Sequence, residues 1–347
     1  MKISHKASRD GNINPTIYNY LHLLTDDTLH HNTYNMRHPL AIYNMSLGRV
    51  ISAFVPILDE IDKVQTALLN VKGNINYDLS KFPTLQKELL DSLLSHIDDC
   101  YHILKTIYPP SQSQSSTLFV EKWLEEVKHP TINKFKQDIK TYRDSLAPIV
   151  NHIKHGHGRV RSFIIYSKDS NFFAYHKESS VRYYPWNPRI PGYYIEGVQA
   201  DGKIGPDPKI HPQNTAISLN YDLRYHFVHI YLVGLYLKNS LVDAISKLYK
   251  RKIDLPGQIE SNYISAKIEN VAARISKLPT LFFPDEFDKT VASVIYRKKN
   301  EESELTVEYP SSNITKWQGK VMMYFNIHLE DRMSTDYQLP YGGFKFK

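Results

Sequence analysis

The run KHPTINKFKQDIKTYRDSLAPIVNHIKHGHGRVR, residues 128–161, decides how the chain is read. Ile132, Phe135, Ile139, Tyr142, Leu146, Ile149 and Ile153 recur at alternating steps of three and four, which predicts a helix burying that stripe against a core. With a rotation of about 100° per residue, Lys136, Lys140, Arg143, Asp144, Asn151, Lys154 and His155 gather on the opposite side. Eight lysines and arginines stand against Asp138 and Asp144 in this run, most of the chain's net charge of +7. Pro148 lacks an N–H donor and predicts a kink before the Asn151–His155 cluster. Gly156 and Gly158 supply a helix stop, and RVRSFIIY, residues 159–166, reads as a strand.

This basic ribbon admits two readings. It is a solvated helix face with cations near the C-terminal dipole, or it is a site for phosphate or RNA. Lys140, Arg143, Asn151, Lys154, His157, Arg159 and Arg161 are the contacts the second reading requires.

A composition of 41% hydrophobic and 23% charged residues in 347 places the chain among globular proteins and outside the disordered class. Cys100 has no cysteine partner in the chain, so no internal disulfide framework exists, and its helical setting predicts a small core residue. The start lacks a hydrophobic leader, and the most apolar run, residues 227–237, is too short to cross a bilayer. The expectation is a cytoplasmic protein without a membrane partner. A pI near 9.0 favours polyanions.

Outward from the basic helix, residues 1–37 read as a polar arm or irregular cap. Residues 38–158 read as an antiparallel helical bundle, with helices over 38–71, 80–107, 118–127 and the basic helix, and a flexible linker PPSQSQSST at 109–117. Residues 159–347 read as an α+β region. It holds antiparallel strands near 159–166, 172–176, 193–198 and 215–219, and a tight turn at Asp201-Gly202. A central helix spans 221–250, further helices lie near 258–277 and 285–298, and C-terminal strands near 304–309 and 320–329. The tail from Tyr337 onward adds an edge. Arg182, Tyr183, Tyr184, Trp186 and Arg189 interleave cations with rings, either to stack unpaired bases or as a proline-stiffened loop packed on the body. The fold class is therefore α+β, mainly α.

Two local patterns resemble a known family. Four helical segments ending in Asn151-His152-Ile153-Lys154-His155 look like the bundles of the HEPN superfamily, many of which are RNA-cleaving toxins or defence effectors. The family's signature, an Arg followed by a His after four to six residues, is matched by Arg224-Tyr225-His226-Phe227-Val228-His229. Tyr225 stands where the family prefers a polar residue, and the match lies outside the bundle. The resemblance implies a homodimer that cleaves RNA without metal in a microbial defence or toxin system. Arg224 would stabilise the phosphorane and His229 would carry the proton.

A second assignment within the first half gives the proton to His155, places Lys154 and Arg143 on phosphate and has Asn151 orient. The competing class is a noncatalytic scaffold that binds a protein partner, in which a buried His229 is a core residue. His152, His155 and His157 lack a fourth ligand, so no metal is expected. No GK[ST] loop, GxGxxG or Gly-x-Ser-x-Gly is present, so no nucleotide cofactor and no serine-hydrolase elbow are expected.

Overall fold

A computed structural model describes residues 3–6, 13–69, 77–110, 120, 123, 130–156, 158–167, 173–176, 179–183, 189–251, 263–286, 289–299, 302–310, 323–327 and 337–341. In chain order these form β1 (Ile3–Lys6), α1 (Thr16–Leu21), α2 (Pro39–Leu69), α3 (Phe82–Lys105), α4 (Pro130–His155) and β2 (Val160–Ser167). There follow β3 (Phe173–His176), β4 (Ser179–Tyr183), β5 (Arg189–Val198), β6 (Ile204–Pro206), β7 (Ile217–Ser218) and α5 (Leu219–Tyr249). The chain continues through α6 (Tyr263–Lys277), β8 (Ser293–Lys299), β9 (Glu302–Tyr309) and β10 (Met323–Ile327). The fold is α+β and mainly α.

α5 is the hub. Ser218 caps its start by accepting from the Tyr221 amide at 3.3 Å, and Lys250 ends it in the left-handed region at φ 51. Its residues are buried on nearly every side from Leu219 to Leu237, because α1, α3, α4 and β5 all pack against it. α2 lies against α3 and also packs against α6.

The larger sheet runs β10-β2-β5-β6 with β7 also on β5, its β2–β5 register pairing Val160 with Ile195 through to Tyr166 with Arg189. Alternation decides what each strand face covers. Val160, Ile164, Tyr193 and Ile195 join the main core, while Phe163, Ile165, Ile190 and Tyr194 form a second cluster with Phe282 and Phe283. Gly202, at φ +82, makes the turn between β5 and β6 at the Asp201-Gly202 pair the sequence points to. A smaller antiparallel sheet runs β1-β9-β8.

Three expectations are revised. Residues 1–37 are not an arm: β1 pairs with β9, and Ile13, Ile17, Tyr20 and Leu21 are buried against the body, the Tyr231 hydroxyl donating to the Ile13 carbonyl at 2.6 Å. The apolar run of α1 is too short to declare a period. The described residues of 285–298 do not form a helix: a short turn, Pro284–Glu286, and the strand β8 stand there. Val291, Val294 and Ile295 suit extended backbone, and β9 offers a partner along the whole strand, from Ser293 opposite Glu308 to Lys299 opposite Glu302. The helical part and the α+β part share one cluster of buried residues, running from Ile13 to Val307, so the boundary at residue 158 does not divide the core.

α2 also differs from expectation. Its Pro39–Val64 segment is long and apolar enough to cross a membrane, with a mean hydropathy of 1.4. In the fold its apolar positions Tyr43, Leu47, Val50, Phe54, Ile57 and Ile61 are core residues. Arg49 pairs with Asp99 at 2.5 Å, and Asp59 and Asp62 receive Arg274 from α6 at 2.8 and 2.6 Å.

Candidate functional site: the basic ridge and the seam beneath it

α4 buries Ile132, Phe135, Ile139, Tyr142 and Leu146 as its periodicity requires. Beyond Pro148 the buried position is Val150, with Ile149 and Ile153 only partly covered, so the stripe turns by one residue at the proline. The helix ends where the Gly156 and Gly158 amides donate to the His152 carbonyl at 2.9 and 3.1 Å. The glycine at 158 is required by close approach: a Cβ there would overlap Cδ2 of His152. His152 fastens this turn to the sheet, its Nε2 lying 3.0 Å from the Glu196 carbonyl and 3.3 Å from an Asp207 carboxylate oxygen.

Along the shaft of the ridge the protein supplies its own counterions. Lys134 lies 3.2 Å from Asp243 on α5, Lys140 pairs with Asp144 one turn on, and Lys154 lies 3.4 Å from Asp91 on α3. Arg161 is buried, its Nε donating to Glu196 at 2.5 Å across the β2–β5 pair. Lys136, Arg143 and Arg159 each have interactions within the protein. Asn151 and His155 are exposed at the helix end, and His157 lies outside the described residues. The ridge is therefore no continuous line of unmatched charge, which is what a groove for a long polyanion would need.

Its far end is different. A hollow of about 240 Å³ opens there, between the first turn of α3 and the start of β2, lined by Pro83, Thr84, Lys87, Ile153, Arg159 and Arg161. The start of α3 adds little positive potential to it, because the Phe82 amide donates to the Leu79 carbonyl at 3.1 Å, Pro83 has no N–H and the Leu85 amide donates to the Lys81 carbonyl at 3.2 Å. Lys87 is exposed and makes no ion pair among the described residues. Arg159 is exposed beside it. Lys87 is a contributor that sequence reasoning missed, because it lies on α3, outside the basic run.

Under the ridge, α4 meets α5 in a buried polar seam. Asp222 accepts from the Gln86 amide at 2.7 Å and from the Tyr193 hydroxyl at 3.1 Å, while its other oxygen lies 3.1 Å from His226 Nε2. His226 Nδ1 lies 3.0 Å from the Tyr142 hydroxyl. Four elements, α3, α4, α5 and β5, are thereby joined through one carboxylate and one imidazole.

Arg224 and His229, the pair implied by the family resemblance, face different surroundings. The guanidinium of Arg224 is buried and donates to the carbonyls of Asn220 at 2.7 Å, Pro279 at 3.4 Å and Leu278, which closes the C-terminal end of α6. His229 is buried among rings, stacked on Tyr142 with centroids 4.2 Å apart and flanked by Tyr225 and Tyr309. Its Nδ1 donates to the Tyr225 carbonyl at 2.7 Å, and burial pushes the imidazole down to about 3. At neutral pH it is uncharged. It lines a hollow of about 250 Å³ with Tyr142, Tyr236 and Tyr309, and Arg224 is not part of that wall. Of the base-stacking candidates, Tyr184 and Trp186 and the side chains of Arg182 and Tyr183 lie outside the described residues.

Among the described residues no three His, Cys, Asp or Glu side chains are grouped to hold a metal ion. Cys100 is buried in α3, and burial pushes its thiol up. No family model, curated protein or solved structure matches this chain.

Proposed function

We propose that the protein binds a phosphate-bearing polyanion, single-stranded RNA being the class the sequence favours, at the end of the α4 ridge rather than along its length. One observation carries this reading: the shaft lysines Lys134, Lys140 and Lys154 are matched by Asp243, Asp144 and Asp91, whereas Lys87, exposed and without an ion pair among the described residues, shares the wall of one hollow with Arg159 and Arg161. A single phosphate there would gain the charges of Lys87 and Arg159, which line the same hollow. The proposal is binding without cleavage. The Arg224 guanidinium already serves three backbone carbonyls, and an imidazole held neutral by burial cannot deliver a proton as an acid near pH 7.

Fluorescence anisotropy with a short labelled single-stranded RNA, in EDTA and low salt, tests it. Lys87→Ala and Arg159→Ala should each weaken binding about tenfold, near 1.4 kcal/mol, and Lys140→Ala should leave it within about twofold. Equal losses from all three substitutions, or no binding by the wild type, would contradict the proposal.

A further inference from the structure

A cavity of about 650 Å³ lies on the other side of the seam, between the C-terminal half of α4, the segment leading into β7 and the first two turns of α5. It is large enough for a small organic molecule, since ligand sites commonly enclose a few hundred Å³. Its walls run against the charge of the chain. In a protein of net charge +7 they present Asp144, Asp222 and Asp285 against Lys209 and Lys289, with Glu286 beside them raised to about 8 by burial and so largely uncharged at neutral pH. An anion gains nothing from such a lining.

The same walls carry three tyrosine rings. Tyr221 and Tyr225 sit one turn apart on α5 with planes 14° from parallel and centroids 6.2 Å apart, and Tyr309 meets Tyr225 edge-on at 5.8 Å. Rings of this kind hold a planar guest by stacking. Carboxylates accept hydrogen bonds and donate none when ionised, so they select a guest whose edge carries N–H groups. Asp222 is committed to Gln86, Tyr193 and His226, and Glu286 to Ser218 and the Phe283 amide, so the acceptors left to a guest are Asp144, which takes Lys140, and Asp285, which takes Lys289 at 2.9 Å and the Tyr341 hydroxyl at 2.6 Å; each of these two has about four lone-pair sites and keeps capacity. The rim is stiffly built. Gln213 and the next residue, Asn214, both hold left-handed backbone, at φ 58 and 57, and Asn214 is fixed by donating to the Leu339 carbonyl at 2.6 Å and accepting from the Tyr341 amide at 2.8 Å.

We propose that this cavity is a binding site for a small planar nitrogen heterocycle bearing an exocyclic amino group, stacked on the tyrosines and hydrogen-bonded through its amino edge to Asp144 or Asp285. The site is separate from the phosphate-binding end of the ridge, so either proposal can fail without the other.

Isothermal titration of the full chain with adenosine, cytidine and uridine, free of phosphate, tests it. Adenosine or cytidine should bind, and uridine, which lacks the amino group, should bind at least about tenfold more weakly. Tyr309→Leu should abolish that binding. Asp144→Asn, at an exposed position that does not hold the fold together, should reduce the amino preference several-fold without loss of thermal stability. Binding of none of the three nucleosides, uridine binding as tightly as cytidine, or an Asp144→Asn variant with an unchanged preference would each overturn the assignment.

Discussion

Nε2 of His226 lies 3.1 Å from Oδ1 of Asp222, one turn earlier on α5, while Nδ1 of the same ring lies 3.0 Å from the Tyr142 hydroxyl on α4. Both ring nitrogens are thus used inside the protein. Asp222 in turn holds Gln86 of α3 and Tyr193 of β5, so its removal strands three buried donors. Asp222→Ala is expected to cost about 3 kcal/mol or more of folding stability, at about 1 kcal/mol or more for each of the three buried donors left unmet. Chemical denaturation measures it, and a loss under about 1 kcal/mol would mean that the seam does not join the four elements.

Arg224→Leu removes the donor to the Asn220, Leu278 and Pro279 carbonyls. At about 1 kcal/mol or more for each of the three carbonyls left unmet, a stability loss of about 3 kcal/mol or more is expected, with RNA affinity unchanged at temperatures where the variant stays folded. A stable variant that loses RNA affinity would instead place Arg224 in the binding site.

Gly158→Ala drives a methyl group into the His152 ring. The ring must leave its contacts with Glu196 and Asp207, or the turn must open, at a cost of about 1–3 kcal/mol. Because this turn carries Arg159, RNA affinity should fall together with stability. Unchanged melting and binding would show that the turn tolerates a side chain.

Stability should peak near pH 6.5, for reasons of opposite sign on the two flanks. His229 is held down to about 3, and His96 and His211 to about 4, all chiefly by burial. The unfolded chain takes up these protons first as pH falls below the ordinary 6.5, so stability drops on the acid side. Glu286 is raised to about 8, first by burial and then by Asp285, from an ordinary 4.5. Its stabilising contribution is complete below pH 4.5 and is lost as pH rises towards 8. Between 4.5 and 6.5 three imidazoles outweigh one carboxyl, and above 6.5 the carboxyl acts without them, with a slope of at most about 1.4 kcal/mol per pH unit. Urea midpoints across pH 5–8 check this. Glu286→Gln should flatten the alkaline flank, and His229→Phe should soften the acid one. A midpoint independent of pH between 6.5 and 8 would contradict the assignment to Glu286.

What could be read from the sequence was whatever a local period carries. The stripe from Ile132 to Leu146, the extent of α5 and the Asp201-Gly202 turn declare themselves within one or two turns of chain. Ile13 and Ile17 were not legible, because a six-residue helix shows no period and its burial depends on α5, over two hundred residues later. β8 was not legible because its strand character depends on β9. At the site, the basic face of α4 was visible, but its neutralisation was only partly so. Lys140 and Asp144 lie four apart in sequence, whereas Lys134 meets Asp243 and Lys154 meets Asp91 through tertiary packing. The seam was hidden for the same reason: Gln86 and Asp222 are 136 residues apart.

The salt dependence of RNA binding tests the central claim most directly. For single strands the slope of log affinity against log salt is about −0.7 for each phosphate neutralised. Binding at the end of the ridge, through Lys87 and Arg159, predicts a slope near −1.4, falling to about −0.7 in Arg159→Ala. A slope near −5.6, little altered by that substitution, would mean that the polymer lies along all eight cations of the run at 128–161 and displaces the protein's own carboxylates, contradicting a site confined to the end of the ridge.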